Sequence, residues 1–331
     1  MFREYDLMML LMILMTLIGL NASTDQPGAE RSSRIVATVE TPNVAKCVTV
    51  EGRYAYLGYR GGMLVYDVAN PLKPELISTI TTGSYVNEIR VDGGRAYLAC
   101  SFDGVIMLDV SDPANPIRLS QLNGLGEVTG IDVYGDTIYA SATSKGLITI
   151  ELDESAILSI VDQRRVTLSG QGGPTVHAMS VQRVGQNIYL SGRSTGLAII
   201  EQLGSSSPQD VSVIRTADEA FGFEIVGTTA FICDQDTGFT TIDVSSARWP
   251  EYLATLPLPG FAYTVEVEGT RAYVASTDAG IHVIDVYDPA VPSLIEQIHG
   301  LEWAFDIEVV GRHGFVADGR GGFKVIEFAR D

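Results

Sequence analysis

Imidazole is scarce in this chain of 331 residues, whose four histidines are His177, His282, His299 and His313. His282 lies inside an apolar strand phrase, and His299 and His313 lie in connecting segments. His177 is the one placed for chemistry. A general base needs an orienting acid and a reacting group within hydrogen-bond reach. Spacing alone does not supply that pair, so the expected role of His177 is a polar residue at a channel mouth. A catalytic base is the alternative.

Carboxylates recur more regularly. Asp132, Glu224, Glu266 and Glu308 each stand three residues before a glycine (Gly135, Gly227, Gly269 and Gly311), and Arg90 stands three before Gly93. If these side chains share a narrow aqueous space, their repulsion raises their pKa values or recruits a cation such as calcium. A hydrated tunnel with its acids separated by water is the plainer expectation. We therefore expect no cofactor, with a structural calcium ion as the alternative.

Six residues before the same glycines come Lys46, Asn87, Thr129, Phe221, Tyr263 and Phe305. His177 takes this place in its own repeat if two inserted residues are allowed before Gly185. Tyr85, Phe261 and Trp303 stand two residues earlier in their repeats. A second set of turns contributes charges, among them Arg60, Arg193 and Arg320. Aromatics with scattered charges on one concave face suit a binding surface. The plain alternative is that the aromatics plug an axis and the charges are solvated.

Two other constellations carry less. Asp234-Gln235-Asp236-Thr237-Gly238 begins like a calcium loop but lacks the later ligands and the downstream bidentate Glu, so it reads as a hairpin turn. Cys47, Cys100 and Cys233 are the three cysteines. Stacked sheets lie about 10 Å apart, too far for a bridge between neighbouring ones, so buried free thiols are expected.

The elements that must position these residues repeat. Apolar strands open on Gly62, Gly104, Gly146, Gly196, Gly238, Gly280 and Gly322, at spacings of 42, 42, 50, 42, 42 and 42. They close on Asp67, Asp109, Glu151, Glu201, Asp243, Asp285 and Glu327 with the same spacings, and an aromatic precedes each glycine by six or seven residues. Three markers in phase define a repeat architecture. Each unit reads as four short antiparallel strands. The third strand, VIMLDV after Gly104, is apolar at nearly every position, so both of its faces are covered. Seven such sheets covering one another make a closed ring. The fold class is all-β, a seven-bladed β-propeller of four-stranded antiparallel blades over residues 34–331. The chain ends straight after the seventh third-strand, and Ile35–Val39 matches the outer strands of other repeats, so the N-terminal strand completes the last blade.

Residues 1–22 contain the apolar run Leu7–Leu20 behind Arg3 and before Asn21-Ala22-Ser23. This reads as a secretory signal peptide cleaved after Ala22, or as an uncleaved N-terminal anchor. Residues 23–33 form a polar, flexible leader. The expected location is secreted, periplasmic or cell-surface. The net charge of −19 argues against nucleic acid as a partner.

The phrases Gly104–Pro116 (GVIMLDVSDPANP) and Gly280–Pro292 (GIHVIDVYDPAVP), and more loosely Gly62–Pro74, resemble the LVIVD-repeat family of secreted and cell-surface propellers. The resemblance implies export and surface binding, and it transfers no catalytic residue. The expected function is a monomeric, non-enzymatic module or scaffold that binds a protein or glycan. The alternatives are a hydrolase or lyase with an axial pocket using His177 and nearby acids, and a structural envelope spacer.

Overall fold

The computed structural model describes residues 32–166, 177–193, 195–201 and 209–329. The proposed signal peptide and most of the leader lie outside these residues. Every regular element among them is a strand.

The second repeat shows how a blade is built. Glu88–Asp92, Arg95–Ala99, Val105–Asp109 and Ile117–Leu122 pair antiparallel in that order. The two middle strands are almost wholly buried, and the outer strand is largely exposed. The opening glycine follows from the geometry: Gly104 has φ +78°, and a Cβ there would collide with the carbonyl of Leu122. The closing aspartate also has a local reason. Asp109 Oδ1 accepts the N–H of Ser111 at 2.9 Å, and Asp67, Asp243 and Asp285 accept from Ala69, Ser245 and Tyr287 in the same way. A carboxylate on one methylene reaches two residues onward and starts the turn.

The first blade differs in detail. Its two middle strands run on as one element, Tyr54–Asp67. The first half pairs with Ala45–Glu51 and the second with Glu75–Tyr85. The two ends meet, because the N–H of Val68 donates to the Arg53 carbonyl at 2.9 Å and Arg53 pairs with Asp67. The element therefore doubles back on itself, and the blade has the same four layers.

The ring closes as expected. The innermost strand of each blade contacts that of the next, and Asp306–Val310 of the seventh contacts Ala45–Glu51 of the first. Arg34–Val39 pairs with Phe323–Glu327 and supplies the outer strand of the seventh blade. Gly322, with φ +84°, lets the Val39 carbonyl approach where a side chain would stand. Ser33 adds bonds from its N–H and hydroxyl to Glu296, at 2.9 and 2.6 Å.

The core is a set of layers between blades rather than one centre. The layer joining the first and seventh blades contains Leu57, Tyr66, Phe315 and Phe323, with Tyr66 stacked on Phe323 at 4.9 Å. Cys47, Cys100 and Cys233 are buried free thiols in such layers. Burial pushes all three well above the ordinary thiol range or, for Cys100, up to about 12.

Candidate functional site

The innermost strands enclose an axial cavity of about 680 Å³. That space holds on the order of 20 water molecules at about 30 Å³ each. Two rings of residues line it, set by position relative to the first hairpin glycine. Six residues before that glycine come Lys46, Asn87, Thr129, Met179, Phe221, Tyr263 and Phe305, and all line the cavity. Three residues before it come Thr49, Arg90, Asp132, Gln182, Glu224, Glu266 and Glu308, and all of these line it too.

One placement differs from the sequence reading. Met179, not His177, occupies the fourth blade's position in the first ring. No allowance for inserted residues is needed, because the register shift between Ala178 and Val181 is the one the fifth blade makes between Ala220 and Phe223. His177 is exposed at the start of its strand and does not line the cavity.

The aromatics form a continuous arc on one side of the mouth. Phe221 meets Phe261 edge-on at 4.8 Å and Tyr263 at 5.3 Å. Tyr263 meets Phe305 at 5.2 Å, and Phe305 meets Trp303 at 5.7 Å. These rings come from the fifth, sixth and seventh blades. Trp303 is 55% exposed. Asp318, buried at the end of a neighbouring strand, fixes its segment by accepting the N–H groups of Glu302 and Trp303, each at 2.8 Å. Asp234 does the same in the fifth blade, accepting from Ala217 and Asp218 at 3.0 and 3.1 Å. The supposed calcium-loop start is thus the hairpin turn expected, and its first acid holds the approach to Phe221.

Cations sit against the aromatic rings of the mouth. Lys46 Nζ lies 4.1 Å from the Tyr263 ring centroid and 3.8 Å from that of Phe305. Arg193 lies 5.2 Å from Phe221, and Arg60 lies 5.5 Å from Tyr85. These contacts bring second-hairpin turns to the same face as the axial rim. Arg320 is exposed and does not line the cavity.

Below the rim the wall is acidic. Asp132, Glu224, Glu266 and Glu308 are joined by Glu88 and Asp306, which the spacing rule did not pick out. Several of these acids connect neighbouring blades. Glu88 accepts the N–H of Ile131 at 2.9 Å, Asp132 that of Arg183 at 2.6 Å, Glu224 that of Val267 at 2.6 Å and Asp306 that of Val48 at 2.9 Å. Gln182 does likewise with Ile225 at 2.8 Å. Each oxygen satisfies an inner-strand donor that faces the axis.

Arg90 pairs with Glu88 at 2.6 Å and approaches Asp132 at 3.9 Å. Its guanidinium is held protonated above its ordinary range, chiefly by Glu88. Burial pushes Glu88, Glu224 and Glu308 up to about 7 and Asp306 up to about 6, while Arg90 pulls each back. Glu266 rises to about 9, first from burial and then from Glu308, Glu224 and Asp306. Among the described residues no group of three or more His, Cys, Asp or Glu side chains is placed to hold a metal ion.

A family model described as the LVIVD repeat matches residues 44–82, 83–123, 220–248 and 259–299. These are the first, second, fifth and sixth repeats, the four that close on aspartate. No curated protein sequence matches the chain. Among solved structures, the RRP9 WD40 repeats superpose with a TM-score of 0.72 at 11% identity, covering 90% of this chain and 98% of that one. The Cps50 (Swd1) β-propeller domain of Myceliophteria thermophila gives 0.72 at 13% identity, with coverage of 89% and 99%. The Pan2 WD40 domain of Neurospora crassa gives 0.70 at 11% identity, with coverage of 92% and 98%. At these identities the likeness concerns the fold alone.

Proposed function

From the premise that this chain is an LVIVD-repeat β-propeller, we propose that it is an exported, monomeric, non-enzymatic module that holds a protein or glycan partner on its aromatic face. The observation that carries this reading is the unbroken arc of Phe221, Phe261, Tyr263, Phe305 and Trp303 at the mouth of the axial cavity. Half-buried rings at a concave rim, with Trp303 exposed and Phe221 buried beneath them, offer contact area at low entropic cost, for side chains or for the apolar faces of sugars. Export rests on the apolar run before residue 23 and on the resemblance of the repeats.

The test is a cross-linked pull-down from the source's envelope and medium, with residues 23–331 as bait. A second bait carries Tyr263→Ala, Trp303→Ala and Phe305→Ala. A partner captured by the first and lost by the second supports the reading. Equal capture by both baits moves the binding surface elsewhere. Capture by neither removes the support for a binding module and leaves the hydrolase or lyase and the envelope spacer.

A further inference from the structure

The cavity's two walls are chemically unlike, and the difference selects a ligand. On one side, Arg90 is engaged by Glu88 and Asp132. On the other, the fifth, sixth and seventh blades present Glu224, Glu266 and Glu308, and among the described residues no Lys, Arg or His forms an ion pair with any of the three. The aromatic arc stands directly before these acids along the chain, Phe221 on the strand of Glu224 and Tyr263 and Phe305 one residue ahead of the strands that carry Glu266 and Glu308. Phe221, Tyr263 and Phe305 each precede their acid by three residues, or about 10 Å of extended chain at about 3.3 Å per residue.

The mouth already holds a cation. The Lys46 ammonium lies against the faces of Tyr263 and Phe305, within 4.1 Å of both centroids. Aromatic faces attract ammonium groups electrostatically, more strongly when water is displaced. The chain's net charge of −19 adds a long-range field that concentrates cations and repels anions.

We propose that the axial cavity receives a primary ammonium group, which passes the aromatic arc and seats among Glu224, Glu266 and Glu308. This rests on the reading of the aromatic face as the binding face. Lys46 occupies the route as a resident competitor, and the incoming ammonium displaces it from the rings. The ammonium belongs either to a small polyamine or to a lysine side chain of a peptide.

The groups facing Glu266 give the step a proton signature. Glu224 approaches from the fifth blade, Asp306 and Glu308 from the seventh, and Arg90 acts from across the cavity. Glu88 and Asp132 lie beside Arg90. An ammonium placed among these acids favours their ionised forms. Binding near pH 7 therefore releases protons, and it tightens as pH rises toward 9.

The probes are spermidine, a tri-lysine peptide and the acetylated form of each. They are titrated calorimetrically into the folded propeller in two buffers of different ionisation enthalpy. Support is binding of either amine but not its acetylated form, with net proton release. Affinity should be at least about tenfold weaker in Glu266→Gln/Glu308→Gln, as expected for about 1.4 kcal/mol, and several-fold tighter in Lys46→Gln. Spermidine alone binding identifies a small polyamine, and the peptide alone identifies a lysine side chain. Binding of neither amine, or equal binding by the double variant, overturns the assignment. If neither amine binds while the pull-down partner is still lost with the aromatic variants, the binding-module reading stands and only the ammonium is removed.

Discussion

Replacing Glu266 by Gln should stabilise the propeller, and should do so more as pH rises. Glu266 has a folded pKa of about 9 against an ordinary value of 4.5. The sign follows from proton counts. Between those two values the folded state keeps a proton that the unfolded chain releases, so stability is full below about 4.5 and is lost as pH rises toward 9. At about 1.4 kcal/mol per pH unit, the loss between pH 5 and pH 8 is about 4 kcal/mol at face value. Glu266 stands on the wall of a cavity that admits water, and Arg90 partly offsets its repulsion. About half of that figure, near 2 kcal/mol, is the expected effect. Gln has no proton to lose and is nearly isosteric, and its removal of charge also relieves Glu224 and Glu308. At about 2 °C per kcal/mol, the variant should melt about 4 °C above the wild type at pH 8 and within about 1 °C of it at pH 5. Scanning calorimetry at pH 5, 6.5 and 8 measures this. A melting gap that is the same at all three pH values would refute the reasoning, because it would mean the Glu266 carboxyl keeps its ordinary pKa inside the ring.

Other outcomes follow from features already described. Deleting residues 34–40 should lower the melting temperature by about 8 °C, since four half-buried apolar side chains at about 1 kcal/mol each lose their contacts; an unchanged melt would show that the ring closes without them. His282 is fully buried, bonded through Nδ1 to Ser276 at 3.0 Å, and lowered by burial to about 4. It should therefore withdraw up to about 3 kcal/mol of stability as pH falls from 6.5 to 4, and His282→Gln should flatten an acid melting profile over that window. Asp318→Ala leaves the Glu302 and Trp303 N–H groups without their acceptor, at a cost of about 1–3 kcal/mol. Hydrogen exchange at those two amides should quicken, while exchange in the second blade stays as it was.

The repeat was legible because its markers are local necessities. The opening glycine stands where an outer-strand carbonyl needs the room, as Gly104 and Gly322 show, so it persists in every unit. The closing aspartate persists only where it makes its two-residue turn. Glu151, Glu201 and Glu327 are a methylene too long, and their repeats are the ones the family model passes over. The axial rings were legible by counting back from a glycine, and His177 was misplaced only because the count was adjusted when it should not have been. Glu88 and Asp306 were missed for a different reason. Their position in the other repeats holds Cys47, Gly130, Ser180, Gly222 and Thr264, so nothing recurs. What these two acids do is accept an N–H from the next blade, a relation between inner strands 43 residues apart for Glu88 and 258 apart, across the ring closure, for Asp306. The Lys46 contact was hidden likewise, because it joins the first blade to the sixth and seventh and exists only once the ring has closed.

The strand that closes the ring is also the first to be made. Arg34–Val39 has no ladder partner until Phe323–Glu327 exists. At about 5–20 residues per second, a ribosome leaves that edge waiting for roughly 15–60 s. Joining the two ends then costs about 5 kcal/mol of chain entropy for a loop of nearly 300 residues. The six preceding blades can pair internally as they emerge, and the second to fifth can settle against both neighbours, but the first and sixth each lack one neighbour until the last blade arrives. Folding of this propeller therefore has a late, single committing event. During that interval the opening strand has its backbone donors and acceptors exposed to any other edge it meets.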